Sequence, residues 1–145
     1  MANGTVQPST YALVKRWEGL QLTSYQVGGT GAYTIGYGRA YGVQPGQVIT
    51  QATANSYLQT DVQNAANCVN QSVTRNLTQG QFDALVDFVY NLGCGYFNGS
   101  SLLEAVNSGD DGKAASLFPE YSCYNGQRVA GLVNRRLNEQ QLYQG

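Results

Sequence analysis

Glu18 is the residue with the clearest chemical prospects, because the segment WEGLQLTSYQVGGTGAYTIGYG, Trp17 to Gly38, offers no other carboxyl group and the next acidic residue is Asp61. Pro8-Ser9-Thr10 reads as a helix start and Gly19 as its stop, so Glu18 should lie in the last turn. An anion there faces the negative end of the helix dipole, which raises its pKa and favours the protonated acid. A lone protonated carboxyl is a general acid; an ordinary exposed glutamate at a helix end is the competing reading. Glycine-punctuated, aromatic and β-branched residues follow, and GGTG at Gly28 to Gly31 should turn them into a hairpin. That turn is no phosphate loop, since it lacks the lysine and following helix of GxxxxGK[ST].

What the chain lacks narrows its chemistry further. It contains no histidine, which removes Ser-His-Asp and Cys-His hydrolysis and the HExxH metalloenzymes. Eight basic and nine acidic residues give a net charge of −1, without the basic stripe nucleic acid requires. No apolar run approaches the ~20 residues that span a bilayer. The first residues, MANGTVQPSTYALVKRW, lack a charged start followed by an apolar segment, so no cleavable leader is expected. Cys68, Cys94 and Cys123 have no CxxC spacing and do not suggest zinc; no metal and no cofactor is expected. They fit three buried thiols, as a reducing compartment would keep them, or one disulfide with a thiol left over.

The elements that must position Glu18 follow from periodicity. At 145 residues the chain makes one domain. Leu13, Val14 and Trp17 form the apolar face of the first helix. In Tyr33-Thr34-Ile35-Gly36-Tyr37-Gly38 the large residues alternate, leaving Thr34, Gly36 and Gly38 on a face that a ligand could approach closely. The competing reading is that these glycines bend a short, twisted sheet. Ala54, Leu58, Val62, Ala65 and Val69 mark one long helix of about 20 residues from Gln51, capped by Thr50, with the narrow stripe of a helix bridging two lobes. Thr78 to Gln81 is a capping box opening the most hydrophobic helix, with Phe82, Leu85, Val86 and Val89 on one face and a stop at Gly93. Ser101 to Glu104 reads as a second box, and roughly Asp111 to Phe118 as a helix stopped by Pro119. Tyr121 to Gly126 reads as a polar loop, and about Gly131 to Tyr143 as a last helix. Arg135 and Arg136 on it should form a solvated face unless folded back onto an acid. The fold class is α+β, mainly helical with a small antiparallel β lobe (about 19–50), a bridging helix (about 51–72) and a helical lobe (about 76–145) completed by the N-terminal helix.

Several of these segments, taken in order, resemble the phage-type lysozymes of glycoside hydrolase family 24. The carrying pieces are Trp17-Glu18-Gly19-Leu20, Thr34-Ile35-Gly36-Tyr37-Gly38, Leu77-Thr78 with Phe82-Asp83-Ala84-Leu85 through Asn91-Leu92-Gly93, Ser101-Leu102-Leu103, Asn107-Ser108-Gly109-Asp110, and Gly131-Leu132-Val133-Asn134-Arg135-Arg136 with Glu139. They cover nearly the whole chain from about residue 9. The resemblance implies a lysozyme-like fold, cleavage of the β-1,4 bond between N-acetylmuramic acid and N-acetylglucosamine, and peptidoglycan strands as the partner of a monomer. It casts Glu18 as the acid protonating the leaving oxygen, and Thr34, with an aspartate between the two, as holder of a water in the inverting geometry. It pairs Arg135 or Arg136 with Glu18, an effect opposed to that of the dipole. It suggests a Cys68–Cys94 bond in an oxidising compartment, Cys123 remaining free, and Tyr33, Gly36, Tyr37, Tyr124 and Asn125 along the sugar cleft. Such a protein would be made in a host cytoplasm and reach the wall through another factor.

The resemblance breaks at the aspartate, whose place is taken by Val27 in a segment one residue longer than usual. Three consequences compete: Gln26 or Thr30 holds water with Thr34; Glu18 alone drives slow hydrolysis or ring closure by the sugar's 6-hydroxyl, as in single-glutamate lytic transglycosylases; or a glycan-binding module remains. A second departure is Arg39, where the family commonly has histidine, and its effect should be on local stability.

Overall fold

The computed structural model describes residues 4–26 and 32–145. Val27 and Thr30 lie outside the described residues. Seven α-helices and two small antiparallel sheets are described, in the order α1 (Pro8–Glu18), β1 (Gln21–Gln26), β2 (Tyr33–Gly36), α2 (Gln51–Ser72), α3 (Gln79–Leu92), α4 (Cys94–Asn98), α5 (Ser101–Ser108), α6 (Asp111–Leu117), β3 (Cys123–Tyr124), β4 (Gln127–Arg128) and α7 (Ala130–Gln144). The mainly helical α+β architecture is the expected one.

α3 is the axis of the helical lobe because it is buried nearly all round. Phe82, Ala84, Leu85, Val86, Phe88 and Val89 are all buried, and α1, α2, α4 and α7 pack on its different sides. Thr78 begins it with a reciprocal capping box to Gln81. α2 starts on Thr50, whose hydroxyl accepts from the Thr53 N–H, and its stripe of Ala54, Leu58, Val62, Ala65 and Val69 is buried as the sequence spacing requires. β1 and β2 pair with Tyr25 opposite Thr34, and Gln47 and Ile49 hydrogen-bond to Ser24 and Leu22 to extend this lobe.

The differences from the sequence expectation lie in short elements. Ser100, not Ser101, caps α5: its hydroxyl accepts from Leu103, while Glu104 donates its N–H to the Ser100 carbonyl in the ordinary helical ladder. Pro119 does not end the chain's coiling, because its fixed φ suits the 3-10 turn Phe118–Glu120 that continues α6. Within the expected Tyr121 to Gly126 loop, Asn125 and Gly126 both take positive φ, 51° and 76°, and close the β3–β4 hairpin. Cys68 and Cys94 are joined, so three buried thiols are excluded, and Cys123 is free but exposed.

Candidate active site

Glu18 ends α1, with its side chain 17 % exposed, and turns its carboxyl toward Arg135 of α7. The Arg135 Nη1 donates to Glu18 Oε2 at 2.7 Å. The other edge of the same guanidinium is held twice by Asp87 of α3, Nε to Oδ2 at 2.8 Å and Nη2 to Oδ1 at 2.7 Å. Beneath it, Arg136 and Glu139 form a fully buried pair, with Nη2 donating to Oε2 at 2.8 Å; Nε and Oε1 are 2.6 Å apart but out of hydrogen-bond alignment. The expectation of a solvated arginine face is therefore overturned: both guanidiniums turn inward because acids wait for them. Of the two, Arg135 is the partner of Glu18, and Arg136 belongs to Glu139.

Burial is the largest influence on Glu18 and raises its pKa above the usual carboxylate value; Arg135 pulls it down, Asp87 pushes it up from behind, and the balance is upward. The direction agrees with the dipole argument, but the dominant cause is desolvation. Arg135 is held above its ordinary value despite its burial, by its hydrogen bonds to Asp87 first and then by Glu18. Glu139 is raised well above its ordinary value, by burial first and then by the neighbouring Asp87 carboxyl.

Gly38 closes the other side of Glu18. A Cβ on Gly38 would coincide with the Glu18 carboxyl, and its φ of +86° also favours glycine. Gly38 is at the same time a wall of a cavity of about 290 Å³ between the two lobes, whose other lining residues include Arg39, Tyr41, Asp61, Asn64, Val89 and Tyr90. Arg39 grips Asp61 of α2 with two hydrogen bonds of 3.0 and 2.9 Å, and its guanidinium lies 3.8 Å from the Tyr57 ring centroid and 4.5 Å from that of Tyr41. The stabilising role expected of Arg39 fits this linkage between lobes.

Thr34 is 6 % exposed and sits opposite Tyr25, whose phenol is raised by burial and then by the charge of Glu18. Gln26 pairs with Tyr33 across the same sheet. The open face expected of Thr34 and Gly36 is corrected: Gly36 is buried, and the space where its side chain would be faces Ile49 and Ala54 at 3.6 and 3.8 Å. Its φ of +67° explains the glycine as backbone conformation, in line with the competing reading. Tyr37 is engaged with Lys15, 5.5 Å above its ring, and accepts from Gln51 on its hydroxyl. Its carbonyl accepts from the Tyr90 hydroxyl at 2.5 Å. Tyr124 and Asn125 stand exposed on the β3–β4 hairpin, outside the hydrogen-bonded group around Glu18.

Asp87 and Tyr90 were not found from the sequence. The signal for Asp87 was present, since an acid in mid-course of the chain's most apolar helix is stable only if a cation meets it. Among the described residues, no cluster of acids or cysteines suited to a metal ion occurs.

A helical lobe and a small β lobe meet at the cavity, and Glu18 does not line it but lies against its Gly38 wall, an arrangement of the lysozyme type. The phage lysozyme family profile matches residues 15–139, and the chain belongs to that family. It is 48 % identical over 134 residues to an endolysin of Bacillus phage PZA, covering 90 % of this chain but 52 % of the other, so it spans about half the length of that relative. An endolysin of Acyrthosiphon pisum secondary endosymbiont phage 1 is 38 % identical over 136 residues, 91 % of this chain and 92 % of the other. Among solved structures, the muramidase domain of SpmX from Asticaccaulis excentricus superposes with a TM-score of 0.89 at 33 % identity over 99 % of both chains. A point mutant of the P22 lysozyme gives 0.81 at 27 % identity, covering 99 % of this chain and 100 % of the other.

Proposed function

We propose that this chain is a peptidoglycan muramidase that cuts the β-1,4 linkage between N-acetylmuramic acid and N-acetylglucosamine, with Glu18 as the general acid. The observation that carries the proposal is the state of Glu18: partly shielded, raised toward its protonated form, and fixed by Arg135 against Gly38. An acid so held can protonate a departing glycosidic oxygen, a contribution of about 10²–10⁴ in rate. The adjoining cavity combines tyrosine rings with the Asn64 amide, groups suited to pyranose faces and acetamido edges. The endolysins and muramidase domain it resembles support the bacterial cell wall as the place of action.

The nucleophile is the open half of the mechanism. Residues 19 to 60 contain no aspartate or glutamate, so the β lobe offers no second carboxylate for an inverting pair. In the hydrolytic reading Thr34 holds the attacking water with a neutral neighbour such as Gln26, and turnover is slow. The absence of the second carboxylate equally favours closure by the sugar's 6-hydroxyl. Turbidity loss of permeabilised cells, compared with Glu18→Gln, tests catalysis; mass spectrometry of the fragments separates reducing ends from 1,6-anhydro ends. Binding to insoluble peptidoglycan with no fragment release from either protein would sink the enzyme reading and leave a binding module.

A further inference from the structure

The Glu18 group contains more acid than a simple ion pair needs. Three carboxyl groups, Glu18, Asp87 and Glu139, share two guanidiniums, Arg135 and Arg136, and all but Glu18 are closed off from solvent. Asp87 is fully buried and takes both hydrogen bonds that Arg135 can make along its Nε–Nη2 edge. Glu18 receives only one, from Nη1. A buried cation is strongly attractive to a neighbouring carboxylate, and an arginine left to Glu18 alone would hold it ionised. Ionised, it could not donate a proton.

We propose that Asp87 is a positioning residue for the acid step of Glu18: it fixes the Arg135 fork and offsets its charge, so that Arg135 orients Glu18 without stripping its proton. The inference rests on the reading of Glu18 as the acid. The charged and titratable groups facing Glu18 are Arg135 and Arg136 from α7, Asp87 and Tyr90 from α3, and Tyr25 from β1, with Glu139 behind Asp87. Of the buried acids, Asp87 alone touches the guanidinium that touches Glu18. Glu139 is engaged by Arg136, whose Nη2 donates to Oε2 at 2.8 Å, which leaves Asp87 as the buried acid that meets Arg135.

Asp87→Asn keeps the size of the side chain and one acceptor while removing its charge. The test is carbon-13 NMR titration of the Glu18 carboxyl, run beside the pH profile of peptidoglycan lysis, in the wild type and in this variant. The Glu18 midpoint should move to lower pH, and the ratio of lysis at about pH 8 to lysis at about pH 5 should fall about tenfold, as one unit of displacement requires. A midpoint that stays or rises, or lysis that falls by one factor at every pH, would overturn the proposal and leave Asp87 a structural residue. Asp87→Ser, smaller and also uncharged, repeats the measurement should the asparagine variant not fold; failure of both to fold would also reduce Asp87 to structure. A midpoint that moves in a protein releasing no fragments keeps the charge balance of Asp87 against Arg135 but removes the acid step, and with it the muramidase reading.

Discussion

A carboxyl group that is to give up a proton near neutral pH must be kept from ionising early, and Glu18 meets that need through burial more than through its place in the dipole. Glu18→Gln should lower lysis by about 10²–10⁴-fold in a turbidity assay, the usual worth of an acid. Its effect on stability has the opposite sense. Glu18 binds its proton more tightly folded than unfolded, so the stability it contributes is complete at low pH and is lost as pH rises from the ordinary carboxyl range through the folded value. Glutamine cannot ionise, so the melting temperature of Glu18→Gln relative to wild type should rise between about pH 4 and about pH 8. A constant difference would show that Glu18 titrates normally. At Gly38 the constraint is steric: Gly38→Ala must adopt a positive φ and displace the carboxyl, and should lose about 1–3 kcal/mol in urea unfolding together with most lysis. Gly42→Ala, with φ +67° and nothing within 4 Å, supplies the control: stability falls, lysis per folded molecule does not.

At the scale of elements, α3 does the most. Its apolar residues make the core, while its two aspartates tie other helices to it: Asp83 accepts from Ser9 and Thr10 at the start of α1, both at 2.6 Å, and Asp87 accepts from Arg135 of α7. The same helix therefore sets both the beginning of the helix that carries Glu18 and the arginine that faces it. Thr78→Ala removes the capping hydroxyl and should cost about 1 kcal/mol by urea unfolding, with a larger loss if α1 loosens with it. The long helices were legible because period and caps agreed, as at Thr50 and Thr78. The short elements were not. Cys94–Asn98 is five residues, too short for any period, and the β3–β4 hairpin has two-residue strands, so tertiary packing rather than local pattern decides them. Glu18 was legible from its isolation and the family pattern, whereas the choice of Arg135 over Arg136 was not. Neighbours in a helix point about 100° apart, and which one meets Glu18 depends on how α7 lies on α3.

Across the whole molecule, two links hold the lobes in register around the cavity. One is Arg39 of the β lobe on Asp61 of α2; the other is the Cys68–Cys94 bond, which fastens α2 to the start of α4. Cys94 itself lines the cavity beside Tyr90 and Gly38, so the bond is part of the wall and also a staple on the chain. It closes a loop across a sequence separation of 26, for which loop-closure entropy gives about 3.5 kcal/mol of stability. Cys68→Ser with Cys94→Ser should lower the urea midpoint by the equivalent of that figure. Reduction of the wild type with a thiol reductant should reproduce the drop, while Cys123→Ser, exposed and unpaired, should leave it unchanged. Since α2 and α3 also share a continuous buried face, the serine variant should still fold, with lysis falling mainly at elevated temperature. An unchanged midpoint after reduction would mean that this apolar contact alone holds the lobes, and that the disulfide adds nothing to it.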